Sequence, residues 1–344
     1  VKIAVVLFNL GGPDSLDAVE PFLRNLFSDP AIISLPGLIR RPLARLIASR
    51  RTPVAKDIYR HLGGRSPILK ETEEQARALE AVLRRAGHEV KCVIAMRYWR
   101  PLTADAVTAV KAFSPDRIVL LPLYPQYSTT TTASSLSEWR KLAARAGIKA
   151  PQHEACCYSF EGGFVSALCE LLDEAFAKAK PAIAYRVLFS AHGLPKRVVK
   201  RGDPYQWQVE RTVRAVLERK PVRDHVVCYQ SRVGPLEWIG PGTDDEVRRA
   251  GAEGKGLIVV PVAFVSEHSE TLVELDIEYA KLARECGVPD YIRVPAVRSR
   301  PAFIGGLARL VETALRSPKP VNCAGRRICP SGRACGYETA SAHA

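Results

Sequence analysis

The run VLFSAHGLP at residues 187–195 decides the fold. Val187, Leu188 and Phe189 are apolar and β-favouring, as in a strand buried on both faces of a parallel sheet, and Ser190, His192 and Gly193 end the run abruptly. A buried strand thus delivers an imidazole to its own carboxyl end, which in open α/β sheets is where ligands sit. Imidazole exchanges its proton near neutrality, so His192 is the first candidate for chemistry. The plainer alternative is a strand-end histidine bonded to a loop carbonyl.

Residues 257–279, LIVVPVAFVSEHSETLVELDIEY, add a second element of the same kind. An apolar run gives way at Ser266, a candidate N-cap, to a helical pattern with Glu267 in its first turn. At 3.6 residues per turn, Glu267, Glu270 and Glu274 share one face, with Asp276 close behind, while Leu272, Val273 and Leu275 take the other. A solvated outer face explains such a stripe cheaply. If both strand tips face one crevice, however, the acids lie opposite His192, an arrangement that suits binding a hard divalent cation, accepting protons, or both.

Outward from these two elements the chain reads as a doublet. Strand-like runs at 3–8, 90–96 and 117–123 answer those at 185–189, 225–229 and 257–264, with helix-like stretches at 66–86, 136–146, 163–178 and 205–219. Alternation of this kind implies parallel βαβ units. The expected architecture is α/β, two doubly wound Rossmann-like halves at 1–178 and 179–316 followed by an extension at 317–344. Their strand ends carry Asn9 with Gly11 and Gly12, Arg97 with Tyr98, Tyr124 with Tyr127, His192, Gln230 with Arg232, and Phe264. Gly11-Gly12-Pro13 lacks the GxGxxG spacing and no Walker A run exists, so no nucleotide cofactor is expected. The Ser/Thr run at 128–135 could donate to an anion at a helix N-terminus, or act as a simple cap.

Composition narrows the partners. The 344 residues are 47% hydrophobic and 25% charged with a formal net charge of +14, which favours a polyanionic neighbour. No nucleic-acid-reading motif is present, and anionic lipid is the better match. The lip at 31–51, AIISLPGLIRRPLARLIASRR, sets Leu35, Leu38, Ile39, Leu43, Leu46 and Ile47 against Arg40, Arg41, Arg45, Arg50 and Arg51. Pro36 and Pro42 are expected to break it into short pieces, and a core-packing helix pair is the competing reading. No apolar run reaches the ~20 residues of a membrane span and the sequence opens in a strand, so a peripheral protein on a cytoplasmic membrane face is expected; a homodimer is left open.

At this point the residues resemble a known family. NLGGPDS from Asn9, YRHLGGRSPI from Tyr59, AMRYWRPLT from Ala95, LYPQYSTTTTASS from Leu123, FSAHGLP from Phe189, RGDPY from Arg201, CYQSRVGPLEWIGP from Cys228 and PVAFVSEHSETLVELD from Pro261 are similar to ferrochelatases, in order and over nearly the whole chain. The resemblance implies an enzyme that inserts ferrous iron into protoporphyrin IX to make protohaem, with the porphyrin between the two halves. It also implies roles. His192 and Glu270 resemble the family's imidazole and partner acid, which hold iron or take the pyrrole protons, and which does which is left open. Glu267, Glu274 and Asp276 resemble an acidic line leading away. Arg97, Tyr98, Tyr59, Ser66 and Tyr124 resemble substrate-anchoring positions, Trp238 and Phe264 aromatic walls, and the lip a membrane-touching edge. The rival readings are a chelatase for another metal or a more carboxylated porphyrin, and a carrier without catalysis, which would need no base beside an acid.

Nine cysteines with no signal peptide read as thiols of a reducing compartment. Cys92, Cys169, Cys228 and Cys286 fall in apolar segments and read as small core residues. Cys323, Cys329 and Cys335 lie in NCAGRRICPSGRACG, a stretch with little capacity for a core and expected to lie outside the two halves. Three spaced thiols need a fourth ligand, which Cys156 or Cys157 can supply; zinc and an iron–sulfur cluster both accept four cysteines. The resemblance favours a [2Fe-2S] cluster on Cys157, Cys323, Cys329 and Cys335, with Cys156 as the alternative to Cys157. Thr129 stands where some relatives have a cysteine, so the fourth ligand cannot be carried across.

Overall fold

The computed structural model describes residues 1–232 and 236–334. The first sheet takes β1 (Lys2–Asn9), β2 (Glu89–Met96), β3 (Arg117–Pro122), β4 (Gln152–Cys157) and β9 (Val321–Asn322), in the order β2-β1-β3-β4-β9. The second takes β5 (Tyr185–His192), β6 (His225–Gln230), β7 (Gly256–Pro261) and β8 (Tyr291–Arg293), in the order β6-β5-β7-β8. Every pairing between these strands is parallel. Between strands run α1 (Val19–Phe27), α2 (Gly37–Arg60), α3 (Ile68–Arg85), α4 (Thr103–Phe113), α5 (Thr132–Arg145), α6 (Gly162–Lys178), α7 (Lys196–Lys200), α8 (Tyr205–Arg219), α9 (Thr243–Ala252), a π-helix (Glu270–Tyr279), α10 (Ala280–Glu285) and α11 (Pro301–Leu315).

Sheet order fixes where a ligand can sit. From β5 the chain first adds β6 on one side and then β7 on the other, so strand order reverses at β5 and a crevice opens beyond the β5 and β7 tips. His192 is the last residue of β5.

The strand pleat sorts the core. In β1, Ile3, Val5 and Leu7 face a cluster that continues through α6 and α11 to Val187, Phe189 and Val260 of the second sheet. Ala4, Val6 and Phe8 face the other way, toward Trp139 of α5. Full burial of one such large apolar side chain is worth about 1.5–3 kcal/mol, so this shared layer fixes the two halves to one another. Polar contacts join them as well. The Gln75 amide of α3 donates to the carbonyls of Val265 (2.8 Å) and Arg298 (3.2 Å), and the Glu267 N–H donates to Glu71 (2.7 Å).

Four expectations change. The lip is not broken at Pro42: α2 runs unbroken through both Pro42 and Pro53. Pro42 denies a hydrogen bond only to the carbonyl of Leu38, whose residue is 92% exposed, so water can replace it. The helix expected from Ser266 starts at Glu270, since Ser266 Oγ donates to Gln75 (3.3 Å) rather than capping. The extension does not lie outside the halves, for β9 joins the first sheet beside β4 and Val321 and Cys329 are buried. Finally, α11 packs on α6, α3 and β4, so the segment 179–316 ends against the first half.

Candidate active site

At the β5 tip, His192 Nδ1 is 2.7 Å from Glu270 Oε2. Glu270 opens the π-helix, so the histidine comes from a strand end and the acid from the first turn of the segment that follows β7. The side chains are 40% and 25% exposed, open enough to meet a ligand. Desolvation alone would pull the imidazole down, but the charge and hydrogen bond of Glu270 outweigh it and hold His192 above its ordinary value. Burial would raise Glu270, yet His192 and the nearby His268 hold it well below the usual carboxylate range.

One π-turn on, Glu274 behaves oppositely. It accepts from the Ser231 N–H (2.7 Å), the Ser231 hydroxyl, Gln230 Nε2 (3.1 Å) and the Tyr279 hydroxyl (3.1 Å). Burial, reinforced by the Glu270 charge, nevertheless raises its pKa. Two carboxylates four residues apart are thus pushed in opposite directions, the environment that separates a proton acceptor from a proton holder. Gln230 ties them together, accepting from Ser190 Oγ (2.8 Å) and donating to the Glu270 carbonyl (3.0 Å) as well as to Glu274.

Glu267 does not belong to this line. It precedes the helix, is buried, and pairs with Arg293 of β8 (2.6 Å) while accepting from the Ala296 N–H (2.9 Å). Arg293 also holds Asp276 through two bonds of 2.6 and 2.5 Å. Burial would raise Glu267, but Arg293 holds it low. The expected stripe therefore splits: Glu270 and Glu274 face the histidine, and Glu267 and Asp276 are spent on an internal arginine. The 3.6-residue period misleads here because the segment is wound as a π-helix and begins after Glu267.

The remaining walls fall into two groups. Trp238 lies over the residue after the histidine, since a Cβ on Gly193 would meet its ring at 3.3 Å. Phe264 packs its ring on His268 at 4.7 Å. The Tyr59 hydroxyl, at the end of α2, faces Ser269 and feels the Glu270 charge, which brings the lip helix to the site; burial pushes Tyr59 up to about 12. On the first half, buried Asp29 collects the Tyr98 hydroxyl (2.8 Å), Ser134 Oγ (2.5 Å), Arg97 Nη2 (2.8 Å) and the Ala31 N–H (2.8 Å). Tyr98 is 1% exposed, so its hydroxyl is committed to this knot. Tyr124 packs near the same group, against the Trp139 side of the sheet. Ser66 sits against Gly12, where a Cβ would stand 2.5 Å from its side chain.

A family model described as Ferrochelatase matches residues 2–315. The chain belongs to the ferrochelatase family. It is 57% identical over 327 residues to the ferrochelatase of Caulobacter vibrioides, covering 94% of this chain and 93% of that one. It is 56% identical over 318 residues to that of Phenylobacterium zucineum, covering 92% of each. As a ferrochelatase it is a lyase that places ferrous iron in a porphyrin to form protohaem. Among solved structures, the sirohydrochlorin chelatase SirB from Bacillus subtilis subspecies spizizenii in complex with cobalt aligns over 92% of this chain and 97% of its own, with a TM-score of 0.55 at 13% identity, and so shares the fold.

Sequence reasoning missed several residues of this ferrochelatase. His268, whose Nε2 is 3.9 Å from Glu270 Oε2, was visible in SEHSE two residues before that acid. Its Nδ1 lies 3.2 Å from the Ser266 carbonyl, and burial lowers its pKa against the pull of the Glu270 and Glu267 charges. Ser231 stood within CYQSRVGPLEWIGP without being singled out, and Asp29 and Arg293 carry no local motif. The Ser/Thr run does hold an anion, but an internal one: Ser128 Oγ, the Thr129 N–H and Thr129 Oγ1 all donate to Asp203 Oδ2 at 2.9, 2.7 and 2.6 Å.

The tail cysteines come together in part. Cys156 and Cys157 sulfurs are 3.4 Å apart at the end of β4, and Gln208 Nε2 lies 3.6 Å from Cys157 Sγ and 3.2 Å from Cys329 Sγ. Cys323, pushed up to about 12 by burial, also feels the Cys157 charge. Cys335 lies outside the described residues, and among the described residues no group of three or more His, Cys, Asp or Glu is arranged to hold a metal ion.

Proposed function

We propose that His192 and Glu270 act as one unit on the centre of the porphyrin. The observation that carries this is the 2.7 Å contact between Nδ1 and the carboxylate. With Nδ1 committed to Glu270, the other ring nitrogen, Nε2, carries the lone pair that meets substrate. As the dication enters, two pyrrole N–H protons must leave. His192 Nε2 accepts the two in turn, handing on the first before it takes the second, and Glu270 stabilises each imidazolium that results. Glu274, raised in pKa and hydrogen-bonded through Gln230 and Ser231, takes the proton onward and away from the ring. Trp238, Phe264 and Tyr59 form the apolar and hydroxyl rim, which suits a flat macrocycle with carboxylate tails. A spectrophotometric assay with ferrous iron and protoporphyrin tests the assignment: His192→Ala should bind porphyrin yet fail to insert iron. A variant that turns over normally would remove His192 from the chemistry.

The lip supports a reading as a peripheral membrane contact on the cytoplasmic face of an inner membrane. Ala44 and Ala48 make the core-facing stripe of α2, while Leu35, Leu38, Ile39, Leu46 and Val54 are 40–92% exposed. Among the described residues no helix is long and apolar enough to cross a membrane.

The cysteines support a [2Fe-2S] cluster held by Cys157, Cys323, Cys329 and Cys335, with Cys156 the alternative to Cys157. One observation supports the set: a single buried amide nitrogen bridges the sulfur at the end of β4 and a sulfur of the tail. When bound, such a group supplies one-electron transfer and a cross-link between the tail and the first sheet. Iron and acid-labile sulfide at about two each per chain, with visible absorption lost in Cys329→Ser, test it.

A further inference from the structure

Gln230 ends β6 and pairs in the sheet with His192, the last residue of β5. Its main-chain carbonyl accepts from the Gly193 N–H at 2.8 Å, so its backbone is tied to the histidine strand. The side chain is fully buried and acts on its neighbours rather than on a ligand. It reaches into the first turn of the π-helix, where Nε2 donates to the Glu270 carbonyl at 3.0 Å and to Glu274 Oε2 at 3.1 Å. A main-chain carbonyl can only accept, so this contact fixes which end of the amide faces the helix. Oε1 is left for the Ser190 hydroxyl, which donates to it at 2.8 Å. Ser190 is itself fully buried and stands two residues before His192 on β5.

A glutamate side chain has many rotamers, and proton transfer needs the one that puts its carboxylate within reach of the donor. Two other residues help to hold Glu274. Ser231, in the left-handed region at φ 59°, aims its N–H at Oε1 from the loop, and Tyr279 reaches it from further along the same helix. Gln230 differs from both, because one nitrogen holds the main chain at Glu270 and the carboxylate at Glu274 together. It therefore fixes the second acid relative to the turn that carries the first. An apolar side chain of the same length would serve packing alone, and burying an amide costs free energy unless its groups are bonded. We propose that Gln230 is a positioning residue for iron insertion: its amide keeps Glu274 in line with the His192–Glu270 pair, so that protons pass from one to the other. The inference rests on the reading above of Glu274 as the group that takes the proton onward.

The test is a double-mutant cycle on the full chain, read by steady-state insertion of ferrous iron into protoporphyrin. Gln230→Met keeps the length of the side chain and removes both donated bonds. Alone it should lower kcat roughly tenfold, as Glu274→Gln does, and leave KM for porphyrin within about twofold. Added to Glu274→Gln it should cost nothing more, since a residue that acts through another has no effect once that other is gone. Losses that multiply to about a hundredfold, a loss carried by KM, or full kcat in Gln230→Met each overturn the proposal. A merely structural role would lower thermal stability without producing that cancellation. Full kcat in Glu274→Gln would instead fail the relay reading itself, and the proposal with it, so the two failures are distinct. Should Gln230→Met not fold, Ser190→Ala leaves the amide in place without the hydroxyl that holds its far end. It should lower kcat about threefold in the otherwise wild-type chain and not at all in Glu274→Gln. An unchanged kcat in the first background, or an equal loss in both, overturns the proposal.

Discussion

The two strand-tip clusters of this ferrochelatase use the same ingredients for opposite ends. In the first half, Arg97 and Asp29 meet at 2.8 Å, with Tyr98 and Ser134 completing the carboxylate, and Asp29 is 4% exposed. In the second, His192 and Glu270 meet at 2.7 Å, but the pair is open to solvent and backed by a second, oppositely shifted carboxylate. A guanidinium never releases its proton at neutral pH, whereas an imidazole does. Each half thus sets an ion pair near a strand tip, and the choice of cation separates a permanent fastener from a pair able to exchange a proton.

That contrast breaks first at His192. Replacing it with alanine should lower the insertion rate by roughly 10²–10⁴-fold, the usual worth of a positioned acid or base, with thermal unfolding little changed because the side chain is 40% exposed. Steady-state assay beside calorimetry checks both halves of the statement. Asp29→Ala should do the reverse. Removing one partner of a buried ion pair costs about 3–5 kcal/mol, so unfolding in denaturant should shift strongly, while any protein still folded at 25 °C should keep its turnover within a few-fold. A variant that lost turnover while keeping its stability would place Asp29 in the chemistry and dissolve the distinction.

The carboxylates sharpen the comparison at the next level. Glu270→Gln removes the charge that does most to hold His192 high, leaving burial, opposed by the Glu274 charge, to pull the imidazole down. The rate should rise with pH as the base loses its proton, so this limb should move to lower pH in the variant as well as drop in height; a limb that stays in place would separate the two groups. Glu274→Gln should cost about tenfold in rate, at the lower range of a proton-transfer role. Glu267→Gln should leave the rate alone and loosen the fold, because its partner is Arg293 rather than the histidine.

How much of this was legible in the sequence follows from the same residues. Long apolar runs announced β1, β3, β5 and β7, because strands buried on both faces leave no other pattern. Strand β4 was hidden by Gln152, His153 and Glu154; Gln152 is exposed and accepts from Trp139 (2.9 Å), while buried Glu154 is paired by Arg140. Nothing local reports such partners. His192 and Glu270 were legible since each ends or follows a strand. Glu267 was misread because periodicity knows nothing of Arg293, 26 residues on. Ser231, Asp29 and Gln208 bond to groups 39, 69 and 121 positions away, which only the folded chain brings near.

The lip gives the smallest effect and a comparison of its own, since α2 carries alanines inward and leucines outward, the inverse of a helix built to pack on a core. Leu38, 92% exposed, sits among Arg40, Arg41 and Arg45. If the face inserts shallowly into an anionic surface, the arginines supply a salt-sensitive part of the attraction and the leucine a salt-insensitive part. Sedimentation with vesicles containing anionic lipid should show binding that weakens as salt rises from 0.1 to 1 M, where the Debye length falls from about 10 Å to about 3 Å. Leu38→Asp should weaken it by a further fivefold to tenfold or so at either salt, as expected when one partly inserted side chain is lost. Equal loss from Leu35→Asp and Leu46→Asp would spread the contact along the whole exposed stripe. Binding to neutral vesicles that ignores salt would show that the arginines serve only the fold, as Arg40 already does in donating to the Ser28 carbonyl at 2.9 Å.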